Sequence, residues 1–168
     1  LYADLAKRNG KIFVNAENEI LLERISNYKL QITNVISYGK SPNAFCKGEI
    51  GDGKEFLSVV FEGETIQTNL VGDYNFENVM SAVCIGKYFG VELKQIKSAI
   101  ESYVPSNNRS QKISLGTNTI ILDAYNANPS SMLEALKNFE KIESKNKIAI
   151  IGQMMELGKY SHEEHEKI

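Results

Sequence analysis

Apolar side chains recur at helical spacing from the first residue, where Leu1, Leu5 and Ala6 share a face, and residues 1–8 are expected to form a helix that Gly10 ends. A short β-rich run follows at 11–14, and helical periodicity resumes over 19–26. From Gln31 the pattern changes. Runs of β-branched or aromatic residues at 32–38, 44–50, 55–61 and 64–68 are punctuated by Gly39, Ser41-Pro42, Gly51-Asp52-Gly53 and Gly63. They read as the strands of antiparallel hairpins. After Asn69 the helical period returns: Phe76, Val79, Met80, Val83 and Cys84 make one apolar stripe that ends near Gly90. Leu93, Ile96, Lys97 and Ile100 begin another helix, which ends at Tyr103.

Pro105-Ser106-Asn107-Asn108 is the most loop-like stretch, and it is the expected boundary between a domain of residues 1–104 and one of residues 105–168. Beyond it strands at 111–115 and 119–122 flank a turn at Gly116-Thr117-Asn118, a helix spans 130–142, and a strand spans 147–151. A Gly-containing loop and the start of a helix at Ser161 complete the sequence. Strand, helix and strand in that succession form the β-α-β unit of a parallel sheet. The expected fold class is therefore α/β. Ligands of such sheets sit at the carboxyl ends of the strands, where Asp123 and Gly152 fall.

Composition narrows the function. In 168 residues, 42% are hydrophobic and 24% charged, which suits a globular chain and excludes a disordered or low-complexity one. Lys plus Arg is 19 against 21 for Asp plus Glu, a net charge of −2, with no basic run among aromatics, so nucleic acid is not an expected partner. Cys46 and Cys84 stand apart and are expected to be buried free thiols. No apolar run approaches the roughly 18 to 20 residues that span a bilayer, and no signal segment opens the chain, so a cytoplasmic location without membrane contact is expected. The chain starts at Leu1 without Met and stops just as a helix begins, so both ends are expected to be cuts within a longer protein.

Two polar constellations and one arginine could carry chemistry. Asp123-Ala124-Tyr125-Asn126-Ala127-Asn128-Pro129-Ser130-Ser131 lies where a strand becomes a helix. Asn128 suits the cap and Pro129 the first helical position, and a helix N-terminus with free N–H groups attracts anions such as a ribosyl phosphate. An Asn cap with an Asx-turn would explain the segment without any ligand, although Asp123, Tyr125 and Asn126 exceed what capping needs. In Gly72-Asp73-Tyr74-Asn75-Phe76-Glu77-Asn78, Asp73 suits a cap, and Asn75 and Asn78 share a face of the first turn with amides able to meet a purine edge or a phosphate-ribose. A plain polar helix start accounts for them equally. Arg109, next to the linker, could reach a phosphoryl group with its planar fork or simply lie in solvent. His162 and His165 stand three apart among glutamates, but the pattern is not a zinc motif, and a Ser161/Glu164 capping box explains it without a metal.

Four of these segments resemble, in order, the Mur ligases, the ATP-dependent amide-forming enzymes of peptidoglycan precursor synthesis. Asp123 to Met132 is similar to the D-x-Y-N-A-N-P-x-S-M signature of the D-alanyl-D-alanine-adding branch, and Gly152 to Gly158 with Ser161 and His165 resembles its L-G-x-M-x-E-L-G…S…H segment. Gly72 to Asn78 resembles the family's G-x-H-N-x-x-N, and Arg109 stands where the family keeps an Arg after its linker. The resemblance implies that residues 1–104 are the later part of a central ATPase domain and 105–168 the start of a Rossmann-like C-terminal domain. It further implies a reaction using ATP and Mg2+ that joins D-alanyl-D-alanine to a UDP-N-acetylmuramoyl tripeptide through an acyl phosphate.

By the same resemblance Arg109 would be catalytic at the γ-phosphoryl group, Asp123 would hold the ribose, and Asn75, Asn78, Tyr125 and Asn126 would line the nucleotide. No G-x-x-G-K-[ST] phosphate loop occurs in the sequence. That loop, the magnesium ligands, the carbamylated lysine and the UDP-binding domain of the family are expected upstream of Leu1, and catalysis by these residues alone is not expected. Tyr74 replaces a common His, Ala124 interrupts the signature, and Gln153 replaces a common Asp. The different-class alternative is a non-catalytic nucleotide-binding or interaction module, favoured by the missing phosphate loop.

Overall fold

The computed structural model describes residues 8, 10–27, 35–53, 56–106 and 108–168, so the expected helix over 1–8 lies, apart from residue 8, outside the described residues. The chain divides into two compact units, residues 1–69 with 74–103 and residues 70–73 with 104–168.

In the first unit β1 (Ile12–Asn15), α1 (Glu19–Asn27), β2 (Val35–Gly39), β3 (Cys46–Ile50), β4 (Ser58–Phe61) and β5 (Glu64–Gln67) precede α2 (Phe76–Tyr88) and α3 (Leu93–Ser102). The five strands form one sheet in the order β1-β2-β3-β4-β5. The later strands are antiparallel as the pattern suggests, with β4 and β5 joined through Glu62 and Gly63, both at positive φ, as a two-residue hairpin loop requires. The β1/β2 and β2/β3 pairs are parallel instead. β3 does not fold back on β2: the chain steps sideways through 40–45 and pairs over Tyr38↔Cys46 and Gly39↔Lys47 alone. The carboxylate of Glu17 organises that step by accepting the backbone N–H groups of Lys40 (3.0 Å) and Ser41 (2.7 Å). Gly39, at φ +140°, has no room for a Cβ beside the same carboxylate.

The apolar stripe of α2 becomes the core. Phe76, Val79, Met80, Val83 and Cys84 are all buried, together with Val14, Cys46, Val59, Phe61 and Ile66 from the sheet. Gly48 has no Cβ where the thioether of Met80 lies, so the helix settles directly on the strand. Burying each such large side chain contributes about 1.5–3 kcal/mol.

The second unit holds β6 (Gln111–Leu115), β7 (Asn118–Leu122), α4 (Pro129–Lys141), a 3-10 turn (Gly158–Tyr160) and α5 (Ser161–Glu166). β6 and β7 are an antiparallel hairpin in register from Gln111↔Leu122 to Leu115↔Asn118, closed by a loop that starts with Gly116 at φ +60°. The expected strand at 147–151 is not formed: among the described residues no strand lies alongside to pair with it, and Ile148 and Ile150 are 83% and 96% exposed. A strand exists only by virtue of its neighbour's hydrogen bonds, so an apolar β-branched run without one stays irregular.

Candidate functional site

The best-defined constellation lies where β7 runs out. Asp123 starts the β7–α4 connection and reaches back to the segment before β6, its Oδ1 accepting the Ser110 backbone N–H at 3.2 Å. One residue on, the Ala124 N–H donates to the Asn108 carbonyl at 2.8 Å. These two bonds clamp 108–110 onto 123–124. Arg109, between the clamped residues, is thereby laid over Tyr125, with its guanidinium carbon 3.8 Å from the ring centroid. Such stacking suits a planar, weakly hydrated cation and orients its remaining N–H groups outward.

The backbone around Arg109 is unusual. Asn108 and Ser110 both have positive φ, +57° and +49°, a region that Asn tolerates and Ser rarely visits. The clamp holds the turn in that conformation. Arg109, Asp123 and Asn126 are exposed, and Tyr125 is 61% exposed. The arrangement therefore leaves exposed a cation stacked on an aromatic ring and a carboxylate that already accepts from the Ser110 N–H. A cationic donor suits a phosphoryl group, and a carboxylate acceptor suits ribose hydroxyls.

Asn126 and Asn128 have local partners. Asn126 Oδ1 accepts the Ala127 N–H at 2.9 Å. Asn128 caps α4: its Oδ1 accepts the Ser131 N–H (3.0 Å) and the Ser130 hydroxyl (2.8 Å), its own N–H donates to Ser131 Oγ (3.2 Å), and Pro129 follows at the first helical position. The helix start is thus closed by its own residues, as the Asn-cap reading required.

In the first unit Asn75 and Asn78 do meet, Asn78 Nδ2 donating to Asn75 Oδ1 at 3.2 Å. Asn75 is buried and is the cap residue of α2, while Asp73 opens a 3-10 turn instead of capping the α-helix. Burial first, and the charge of Glu77 second, push the Tyr38 hydroxyl above its ordinary range near this turn. Among the described residues no three His, Cys, Asp or Glu side chains gather as metal ligands.

The tail holds an arrangement that sequence reasoning missed. Ser161 and Glu164 form no capping box, because α5 is capped from Tyr160 without a side-chain bond. His165 instead bridges the preceding loop, accepting the Met154 N–H on Nε2 at 2.9 Å, with Nδ1 2.6 Å from the Ser161 carbonyl. The available signal was a His four residues after Ser161, one helical turn on.

Residues 108–168 match the family model described as "Mur ligase, glutamate ligase domain". Among curated relatives, the UDP-N-acetylmuramoyl-tripeptide–D-alanyl-D-alanine ligase of Buchnera aphidicola is 32% identical over 163 residues, covering 91% of this chain and 34% of that protein. Its namesakes in Rickettsia prowazekii and Treponema pallidum are each 28% identical, covering 96% and 80% of this chain and 37% and 29% of theirs. The chain thus spans about a third of the length of these relatives. A crystal structure of MurF from Acinetobacter baumannii superposes with a TM-score of 0.81 at 22% identity, over 97% of this chain and 37% of that one. The Thermotoga maritima MurF ligase, solved in complex with ADP, superposes with a TM-score of 0.74 at 19% identity, over 94% and 37%. The fold of the chain is the mixed α/β fold shared with these structures.

Proposed function

We propose, since this chain belongs to the Mur ligase family, that the protein joins D-alanyl-D-alanine to a UDP-N-acetylmuramoyl tripeptide, with residues 1–104 in the central ATP-binding domain and 105–168 in the Rossmann-like C-terminal domain. The observation that carries this reading is the clamped Arg109–Tyr125–Asp123 constellation, within the part matched to the ligase domain. In the reaction a carboxylate oxygen of the tripeptide attacks the γ-phosphorus of ATP, ADP leaves, and an acyl phosphate results. The amine of D-alanyl-D-alanine then adds to that carbonyl, and the tetrahedral intermediate expels phosphate to leave the amide and a proton.

Such chemistry needs positioning and charge neutralisation more than covalent help. Arg109 supplies the cation for the transferring phosphoryl group, and Tyr125 holds the guanidinium in place from one face. A unit charge pair at about 4 Å is worth about 4 kcal/mol at an effective dielectric near 20, enough for a large rate effect. Asp123 accepts from ribose hydroxyls, and Asn126 and Tyr125 border the nucleotide. ATP suits this donor set. Mg2+ would accompany the nucleotide, and among the described residues no three His, Cys, Asp or Glu side chains gather to hold it. These 168 residues hold no G-x-x-G-K-[ST] phosphate loop. The described helices include none long and apolar enough to cross a membrane, and a cytoplasmic enzyme is the reading that agrees with its substrates.

The test is phosphate release by the protein made from the complete reading frame that contains this sequence. Release that requires ATP, the tripeptide nucleotide and D-alanyl-D-alanine together supports the reading. The missing phosphate loop favours a second one, a nucleotide-binding module without catalysis. Thermal stabilisation by adenine nucleotides with no phosphate release under any substrate combination would select it.

A further inference from the structure

His165 is the one imidazole of the chain with both ring nitrogens engaged by backbone. The Met154 N–H points at Nε2 from 2.9 Å, so that nitrogen must carry a lone pair. Nδ1 lies 2.6 Å from the Ser161 carbonyl, which can only accept, so Nδ1 must carry the proton. Together the two contacts select one species, the neutral imidazole protonated on Nδ1. A protonated ring would face the Met154 N–H with a second N–H, and that contact would turn from attraction to repulsion.

The segment so held is not an ordinary turn. Residues 152–158 contain Glu156 at φ +66° and Gly158 at φ +54°, and a non-glycine residue in the left-handed region persists only where its surroundings insist on it. Met154 is 2% exposed, which makes its N–H the buried anchor of the loop, while Gln153, Met155 and Glu156 are exposed around it. The charged side chains nearby belong to α5 (Glu163, Glu164 and Glu166) and its C-cap residue Lys167, to the 3-10 turn (Lys159) and to the loop (Glu156). On α5 and its cap they are occupied with one another: Lys167 pairs with Glu163 at 2.9 Å and Glu164 at 2.7 Å, and Glu166 with His162 at 3.2 Å. The imidazole is therefore held chiefly by the two backbone groups, with the Ser161 hydroxyl 3.4 Å from Nδ1 beside them.

We propose that His165 is a positioning residue, a proton-sensitive latch that keeps the loop at 152–158 in its single conformation through Met154 and releases it when the ring is protonated. The order it imposes is present with the ring neutral and is lost when the ring takes up a second proton, because Nε2 then turns an N–H toward the Met154 N–H. The inference does not depend on the ligase reading, since it concerns how the loop is held and not what the loop binds.

Nitrogen-15 NMR on the protein made from the complete reading frame, with histidine and methionine selectively labelled, tests it. At about pH 8 the imidazole shifts should show Nδ1 protonated, and the Met154 amide should titrate with the ring. Hydrogen-exchange protection of the loop, corrected for intrinsic rates, should drop at least about tenfold across the ring's titration. His165→Gln retains an uncharged acceptor near the Nε2 position, so it should keep Met154 protected and abolish the pH dependence. His165→Phe should lose the protection at high and low pH alike with the β6–β7 hairpin unchanged. A ring protonated on Nε2 at high pH would overturn the proposal. So would a Met154 amide indifferent to the ring's titration, or a His165→Gln loop that still loosens in acid.

Discussion

Replacing Asp123 by Ala separates what the carboxylate does for the fold from what it does for a ligand. The bond lost is the one from the Ser110 N–H at 3.2 Å. Hydrogen bonds to charged groups contribute about 1.5–3 kcal/mol net. The carboxylate is exposed and the distance long, so the lower end applies, and about 1–1.5 kcal/mol is expected. In a unit of this size each kcal/mol shifts the melting temperature by about 4–8 °C. Asp123→Ala should thus lower the melting of the second unit by about 5–10 °C, while Asp123→Asn, which keeps a neutral acceptor, should cost about half. Because the chain has two units, the melt should be followed through residues of 104–168 and not by a global signal. The local readout is sharper. Ser110 should lose exchange protection, and the side-chain protons of Arg109, shifted upfield by the Tyr125 ring 3.8 Å away, should return toward random-coil values. An Asp123→Ala variant with Ser110 still protected and Arg109 still shifted would show that the clamp does not place the arginine.

Arg109→Ala should reduce ligation at least about 100-fold in the complete protein, the scale expected when a charge-stabilising donor is removed, with an unchanged fold by circular dichroism. Asn128→Ala removes the acceptor of the α4 cap and should cost about 1 kcal/mol in denaturant unfolding of the second unit. Cys84, which donates to the Ser37 carbonyl at 3.8 Å, has its thiol pushed up in pKa by the neighbouring Cys46 and by burial, whereas Cys46 is lowered; both are buried, so alkylation by iodoacetamide should reach neither cysteine in the native chain and both in denaturant. Lys167 is pushed up to about 12 by Glu164 and then Glu163. A raised pKa means that its stabilising pairing is fully present below its ordinary value and lost as pH rises through about 12. Because it is exposed, high salt should shrink that shift in an NMR titration of Nζ.

Elements that carry their own periodicity were legible in the sequence. The stripe from Phe76 to Cys84 is the buried face of α2, the run at 111–115 is β6 residue for residue, and Asn128-Pro129 opens α4. Features set at a distance were not. The parallel step from β2 to β3 depends on Glu17, more than twenty residues before the loop it caps, and no local pattern distinguishes that step from a hairpin. The run at 147–151 has the composition of a strand, but pairing is a property of two segments and cannot be read from one. Among the candidate site residues, types and positions were visible, whereas the stacking of Arg109 on Tyr125 arises from two hydrogen bonds across separate loops. His165 was hidden for a similar reason: Ser161 and Glu164 have the spacing of a capping box, and only the fold shows that the serine's carbonyl and the Met154 amide are what the helix uses.

The central claim, amide ligation through an acyl phosphate, is tested most directly by isotope transfer. The complete protein would be given ATP, D-alanyl-D-alanine and a UDP-N-acetylmuramoyl tripeptide carrying oxygen-18 in its terminal carboxylate. One labelled oxygen should appear in each inorganic phosphate released, in step with amide formed, because the carboxylate oxygen that attacks phosphorus leaves with it. Phosphate free of label, or released without regard to the two peptide substrates, would contradict the account.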